Sequence, residues 1–219
     1  MSEHTKRQIP VIVEQLATTV GRRDEGPNMA LAERVASTLD KDAVSALIRV
    51  SLEGTAALRA DAIKVLYEAG EQAPDLLVPH LGAFVDLLDD RNNRLVWGAM
   101  CAIDVIARVA PAKVYAQLAP IMAAVDKGSV ITRDHGVRVL VELGGDQRFA
   151  TKAWPLLLEV LRTCPVNQIP MYAESTGKVV PGRFEKALIG VLEDRLMNMA
   201  QPAKRVRINK VLKRLTRRH

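Results

Sequence analysis

The side chains able to do chemistry are few and scattered along this chain of 219 residues. Asp134 and His135 adjoin in sequence and, with Asp61, have the functional groups of a general acid–base pair. On a helix, adjacent residues point about 100° apart, so these two diverge and catalysis by them is not expected. The other histidines, His4, His80 and His219, fall in separate predicted elements with no metal-ligand spacing between them. Asp86, Asp89 and Asp90 close a helix without the loop spacing of a calcium site, so capping and solvation account for them. Cys101 and Cys164 match neither a zinc site nor a disulfide framework, and they point to a reducing compartment. No catalytic residue, metal or cofactor is implied, and a non-enzymatic protein is expected.

What remains is binding, and the residues for it depend on how the chain is organised. The composition is 48% hydrophobic, 26% charged and only 4% aromatic, enough apolar content for a packed core. Many Ala, Val and Leu with few aromatics favour helix-on-helix packing over a β-sandwich. The segment Met1 to Arg7 is polar and mixed in charge, and no following apolar run is long enough for a signal sequence or membrane span. A cytoplasmic protein is expected.

Internal repetition organises the rest. Stepping by 37 residues places Ala62, Ala99, Gly136 and Ala173 in one column, all small. Three neighbouring columns are apolar: Leu66, Ile103 and Leu140; Leu47, Phe84, Ile121 and Leu158; Val50, Leu87, Ala124 and Leu161. Within a repeat the apolar positions recur at spacings of three and four, as in Leu58, Ala62, Val65, Leu66 and Ala69, the stripe of an amphipathic helix. Each repeat is therefore read as two helices. First helices are predicted over 42–52, 77–89, 114–126 and 151–163, and second helices over 56–70, 93–109, 130–144 and 167–180. An N-terminal pair over 7–20 and 28–39 caps the stack (capping region 1–41). Four repeats fill 42–182, and a pair over 184–199 and 203–217, slipped from the period, caps the other end (183–219).

These residues resemble the HEAT repeat. Its pattern has an acidic residue in the inner turn, a Val-Arg pair, and small then aliphatic residues after it. The matches are Leu58, Arg59, Ala62, Val65 and Leu66 in the first repeat, Leu95, Ala99, Ala102 and Ile103 in the second, and the turn acids Glu53, Asp90 and Asp126. The resemblance covers about residues 42–180, is shared in part with armadillo repeats, and implies an all-α, right-handed superhelical solenoid of five to six antiparallel helix pairs in a single domain over 1–219. The Arg column departs from the pattern, reading Arg59, Val96, Arg133 and Pro170, so a continuous Asp–Arg ladder is not expected. Pro170 fits only the first turn of its helix, and Gly177 stands where an aliphatic residue is usual.

Stacked repeats expose one helix face as a long binding wall. The second-helix columns at 60, 61 and 64 should line it: Ala60, Trp97, Asp134 and Met171; Asp61, Gly98, His135 and Tyr172; Lys64, Cys101, Arg138 and Ser175. Asp61, Trp97, Arg133, Asp134, His135, Met171 and Tyr172 are the candidate partner-binding residues of a concave wall gripping a protein or peptide, because Trp, Met and Tyr contribute most to binding when desolvated. Packing of Trp97 and Tyr172 between repeats is the alternative.

Charge marks a second candidate. From Pro202 to His219 there are eight basic residues and no acid, whereas the whole chain is +6. Ile208, Val211, Leu212 and Leu215 share one helix face, and the basic residues share the other. Lys204, Arg207, Lys210, Lys213, Arg214 and Arg217 are thus candidates for nucleic acid or an acidic partner, or for a solvated terminal helix. A second resemblance, to HEAT-like bacterial alkylpurine DNA glycosylases, would imply DNA binding, but only Trp97 and Asp134 match that family's grouped Trp and Asp.

Overall fold

The computed structural model describes residues 9–217; His4, His219, Arg218 and the segment Met1 to Arg7 lie outside the described residues. The chain forms two compact units, Met1–Gly136 and Val137–His219, and every regular element among the described residues is helical. The first unit contains α1 (Ile9–Val13), α2 (Gly26–Thr38), α3 (Lys41–Glu53), α4 (Ala56–Gln72), α5 (Leu81–Leu87), α6 (Asn93–Val109), α7 (Pro111–Ala116) and α8 (Leu118–Lys127). Helix α9 (Val130–Gly145) carries the chain into the second unit, with α10 (Gln147–Thr163), α11 (Ile169–Val179), α12 (Gly182–Met197) and α13 (Pro202–Thr216).

The period is written into the core. Ala62, Ala99 and Ala173 are 0% exposed, as are Leu66, Ile103 and Leu140, and the columns headed by Leu47 and Val50 are buried throughout. The small column has a steric reason at Gly136, where an added Cβ would lie 2.1 Å from Val125 Cγ2. Only a residue without a side chain lets α9 cross α8 that closely. Side chains 37 positions apart also touch, as in a stack of like units: Arg108 donates to Glu71 at 2.7 and 3.1 Å, both in the last turns of their helices.

Local signals set the helix starts. Asp40, Asn92 and Asp146 each accept a backbone N–H of the following turn, so α3, α6 and α10 begin there. Pro170 occupies the first turn of α11, where its missing N–H costs nothing. Two expected first helices differ from the sequence reading. In place of 77–89 the chain makes two 3-10 turns, Pro74–Leu76 and Val78–His80, before α5, because Pro74 and Pro79 fix φ and remove helical donors. The span 114–126 is split at Gln117 between α7 and α8. Pro74 and Pro111 are one period apart, so a short leading turn is itself part of the repeat. Of the N-terminal helix expected over 7–20, the described residues form α1 and then continue in turns.

Cys101 and Cys164 are buried thiols outside any disulfide. Burial raises the Cys164 thiol pKa to about 11 despite the nearby Arg195. No helix among the described residues is long and apolar enough to cross a membrane.

Candidate functional site

The second helices α4, α6 and α9 carry the candidate wall of the first unit. Its centre is an aromatic pair: Trp97 on α6 lies 5.7 Å from Tyr67 on α4, tilted by 56°, and both rings are half-buried. Lys64 sits 5.1 Å over the Tyr67 ring and donates to Glu68 at 2.6 Å. Burial raises the Tyr67 hydroxyl pKa, with Lys64 opposing it, so it stays protonated.

Beside the pair runs a polar chain across three helices. His135 Nδ1 on α9 meets Asp104 Oδ2 on α6 at 2.8 Å. Arg108 reaches the same carboxylate at 3.4 Å and forks onto Glu71 of α4. Asp104 is 1% exposed, and a buried carboxyl of this kind needs such hydrogen-bond partners. Column reasoning passed over Asp104; an acid inside the apolar run Ile103-Asp104-Val105-Ile106 was the available signal. His135 thus pairs with an acid 31 positions away in the sequence.

Two candidate residues are not on an open wall, which corrects the expectation that their columns are exposed. Asp61 is 8% exposed and accepts from the Thr18 amide at 2.7 Å and from Asn28 Nδ2 at 2.9 Å. The turns after α1 cover it. Tyr172 is 3% exposed, buried within the second unit. Gly98 and Cys101, from the same columns, are buried as well; a Cβ at Gly98 would meet Ile63 Cγ1 at 2.7 Å. A candidate on α9, Arg133, caps the C-terminus of α8 by donating to the carbonyls of Val125 and Asp126 at 3.2 and 3.0 Å. Asp134 is half-buried on α9, and Met171 half-buried on α11.

Of the acidic turn residues, Asp90 acts as a capping group. Asp90 accepts from the Asn92 amide at 2.7 Å and from Arg59 Nη2 at 2.5 Å, joining two successive repeats. Asp89 lies 3.9 Å from Lys127. No group of three or more potential metal ligands occurs among the described residues, and burial keeps the His80 ring neutral by lowering its pKa. Burial opposes ionisation of Asp90, but the Asn92 amide and the Arg59 guanidinium outweigh it and hold the carboxyl below its ordinary range. Its stabilisation is therefore complete above the unfolded value near about 4 and lost as pH falls through the lower folded value. Urea titrations should find Arg59→Met less stable by about 1–2 kcal/mol at pH 7, with the gap narrowing toward pH 3. It should not close, because Arg59 also holds the Ser51 carbonyl. A gap independent of pH would exclude the ion pair as its source.

The basic candidates lie on α13. Lys204 donates to Asn167, and Arg207 forks onto Glu174 of α11, both bonds 2.7 Å. Lys210, Lys213, Arg214 and Arg217 are exposed.

Helices stacked by repeats define the class: this is an all-α solenoid of armadillo and HEAT type. The chain is similar in fold to a designed armadillo repeat protein in complex with peptide (KR)4, with TM-score 0.67 and 15% identity over 94% of this chain and 98% of that one. It is similar to a computationally designed armadillo repeat protein for modular peptide recognition, with TM-score 0.65, 16% identity and coverage of 94% and 99%. An archaeal HEAT-like repeats protein from Thermococcus onnurineus NA1 follows at TM-score 0.51, 14% identity and coverage of 87% and 93%. No protein-family model matches the sequence, and no curated protein matches it significantly.

Proposed function

We propose that the protein is a non-enzymatic scaffold whose first unit binds a protein or peptide segment on the wall of α4, α6 and α9. The observation that carries this reading is the half-exposed Tyr67–Trp97 pair beside the chain Glu71, Arg108, Asp104 and His135. A rigid aromatic surface next to a fixed polar network offers an anchor and an orienting set, as peptide sites require. The first unit holds 15 basic and 18 acidic residues, the second 16 basic and 7 acidic. A half-exposed Trp face on a unit with a net acidic balance favours a segment that brings a Lys or Arg side chain over the ring. The likeness to designed peptide-binding repeats supports the same class of partner. Asp61 and Tyr172 hold the frame in this reading, while Asp134 and His135 edge the surface.

Selection of displayed random peptides on the full chain tests it. Basic segments with an apolar neighbour should be enriched, and Trp97→Ala should weaken the selected peptides at least about ten-fold, the loss of roughly 1.4 kcal/mol. Trp154 is fully buried, so a bound peptide should shield Trp97 selectively from acrylamide quenching. Enrichment that survives Trp97→Ala, or none at all, would refute the site.

A further inference from the structure

The second unit carries an exposed charge array that peptide binding by the first unit leaves unused. Helix α13 docks through Ile208, Val211 and Leu215, all 3% exposed or less. Arg207, Lys210, Arg214 and Arg217 lie on its open face, with Lys178 exposed on the adjoining α11. Gly177, the departure from the repeat pattern, explains how closely these helices approach. A Cβ there would lie 2.8 Å from Val211 Cγ1 and 2.9 Å from Arg214 Nη2, so glycine lets the guanidinium settle onto α11.

One acid sits in this array. Glu174 is gripped by the Arg207 fork at 2.7 Å for both bonds. That fork, against the opposing effect of burial and with help from Lys178 and Lys210, holds the carboxyl below its usual range. The array thus already holds one oxyanion in a bidentate grip, the geometry with which arginine holds phosphate.

We propose that Lys178, Arg207, Lys210, Arg214 and Arg217 form a surface for the phosphodiester backbone of double-stranded DNA, and that Glu174 occupies one of its anion positions in the free protein. The α13 cations span about 15 Å of helix axis, over which one duplex strand presents about four phosphates. No aromatic ring is exposed on α11 or α13, Tyr172 being buried, so unpaired bases find no stacking platform and a duplex is favoured over a single strand. Contacts made to phosphate oxygens carry no sequence information, so this binding is independent of sequence. An acidic peptide would lack the regular charge spacing and must be ordered on binding.

Anisotropy titrations of the full chain test this with four probes: a mixed-sequence duplex of about 20 base pairs, one of its single strands, poly-glutamate, and phosphatidylserine vesicles. The duplex should bind most tightly at about 50 mM salt and lose more than about 100-fold in affinity by about 200 mM, the slope expected for roughly four phosphates. The double variant Lys210→Glu, Arg214→Glu should weaken it at least about ten-fold while keeping the helical circular dichroism spectrum at the assay temperature. Glu174→Gln should tighten it about two- to five-fold by freeing Arg207, whereas Glu193→Gln on α12, an equal change in net charge, should leave it within error. No duplex binding at the lower salt, binding that survives the double variant, or tighter binding of the single strand, poly-glutamate or vesicles would overturn the assignment. Equal effects of Glu174→Gln and Glu193→Gln would overturn the role of Glu174.

Discussion

Trp154→Ala should lower the stability of the second unit by about 3–5 kcal/mol, the cost of emptying an aromatic site in a core that cannot collapse. The ring is 0% exposed and stacks on Phe184 of α12, with centroids 5.7 Å apart and planes at 17°. Its Nε1 donates to the Gly144 carbonyl at 3.0 Å, and a Cβ on Gly144 would lie 3.2 Å from that nitrogen. The residue therefore fills space, joins α10 to α12 and satisfies the end of α9. Trp154→Phe separates these roles: it keeps most of the volume and loses the hydrogen bond, so it should cost only about 1–2 kcal/mol. Urea unfolding followed by far-ultraviolet circular dichroism gives both values. An alanine variant no worse than the phenylalanine variant would show that packing is not the dominant contribution.

Asp61→Ala should cost about 2–4 kcal/mol, although it removes only a carboxylate. Its oxygens accept from the Thr18 amide and Asn28 Nδ2, and Asn28 Oδ1 accepts from the Ala17 amide at 3.0 Å. Asn28 is 0% exposed, so removing Asp61 strands a buried donor with no route to water. Hydrogen exchange should locate the damage: the Thr18 and Ala17 amides should exchange at least about ten-fold faster, while those of α10 to α13 keep their native rates. Asp61→Asn retains an acceptor and should cost less. Uniform acceleration along the whole chain would mean that Asp61 supports more than the N-terminal segment.

The same residue shows where sequence reasoning stopped. The apolar columns were legible because burial in a stacked repeat recurs with the period, and Leu66, Ile103 and Leu140 needed no three-dimensional information. Asp61 lies at the border of that stripe, and the turns after α1, which have no counterpart in the repeats, decide that it is buried. Tyr172 sits on the same border in the second unit. The Asp104–His135 contact joins two repeats through one residue of an aligned column, His135, and one outside the columns, Asp104, so alignment by the period did not show it. The leading turns at Pro74 and Val78 were readable in principle from Pro74, Pro79 and Pro111, but the hydrophobic period there matches one long helix equally well. The basic face of α13 was legible outright, since charge on one side of a helix follows from spacing alone; the grip on Glu174 was not, because it depends on α11.

The contact at the repeat length between Arg108 and Glu71, each in the last turn of its second helix, bears on how such a chain can change over generations. Where like positions of adjacent repeats meet, duplication or loss of one whole period at equivalent turns rejoins a helix to the kind of neighbour it already had. The length of the chain is then a heritable variable that recombination can adjust without inventing new packing. A single residue lost inside α6 is a different event, turning its apolar stripe by about 100°. Natural variants should therefore differ by whole repeats, or within turns, far more often than by single deletions inside second helices.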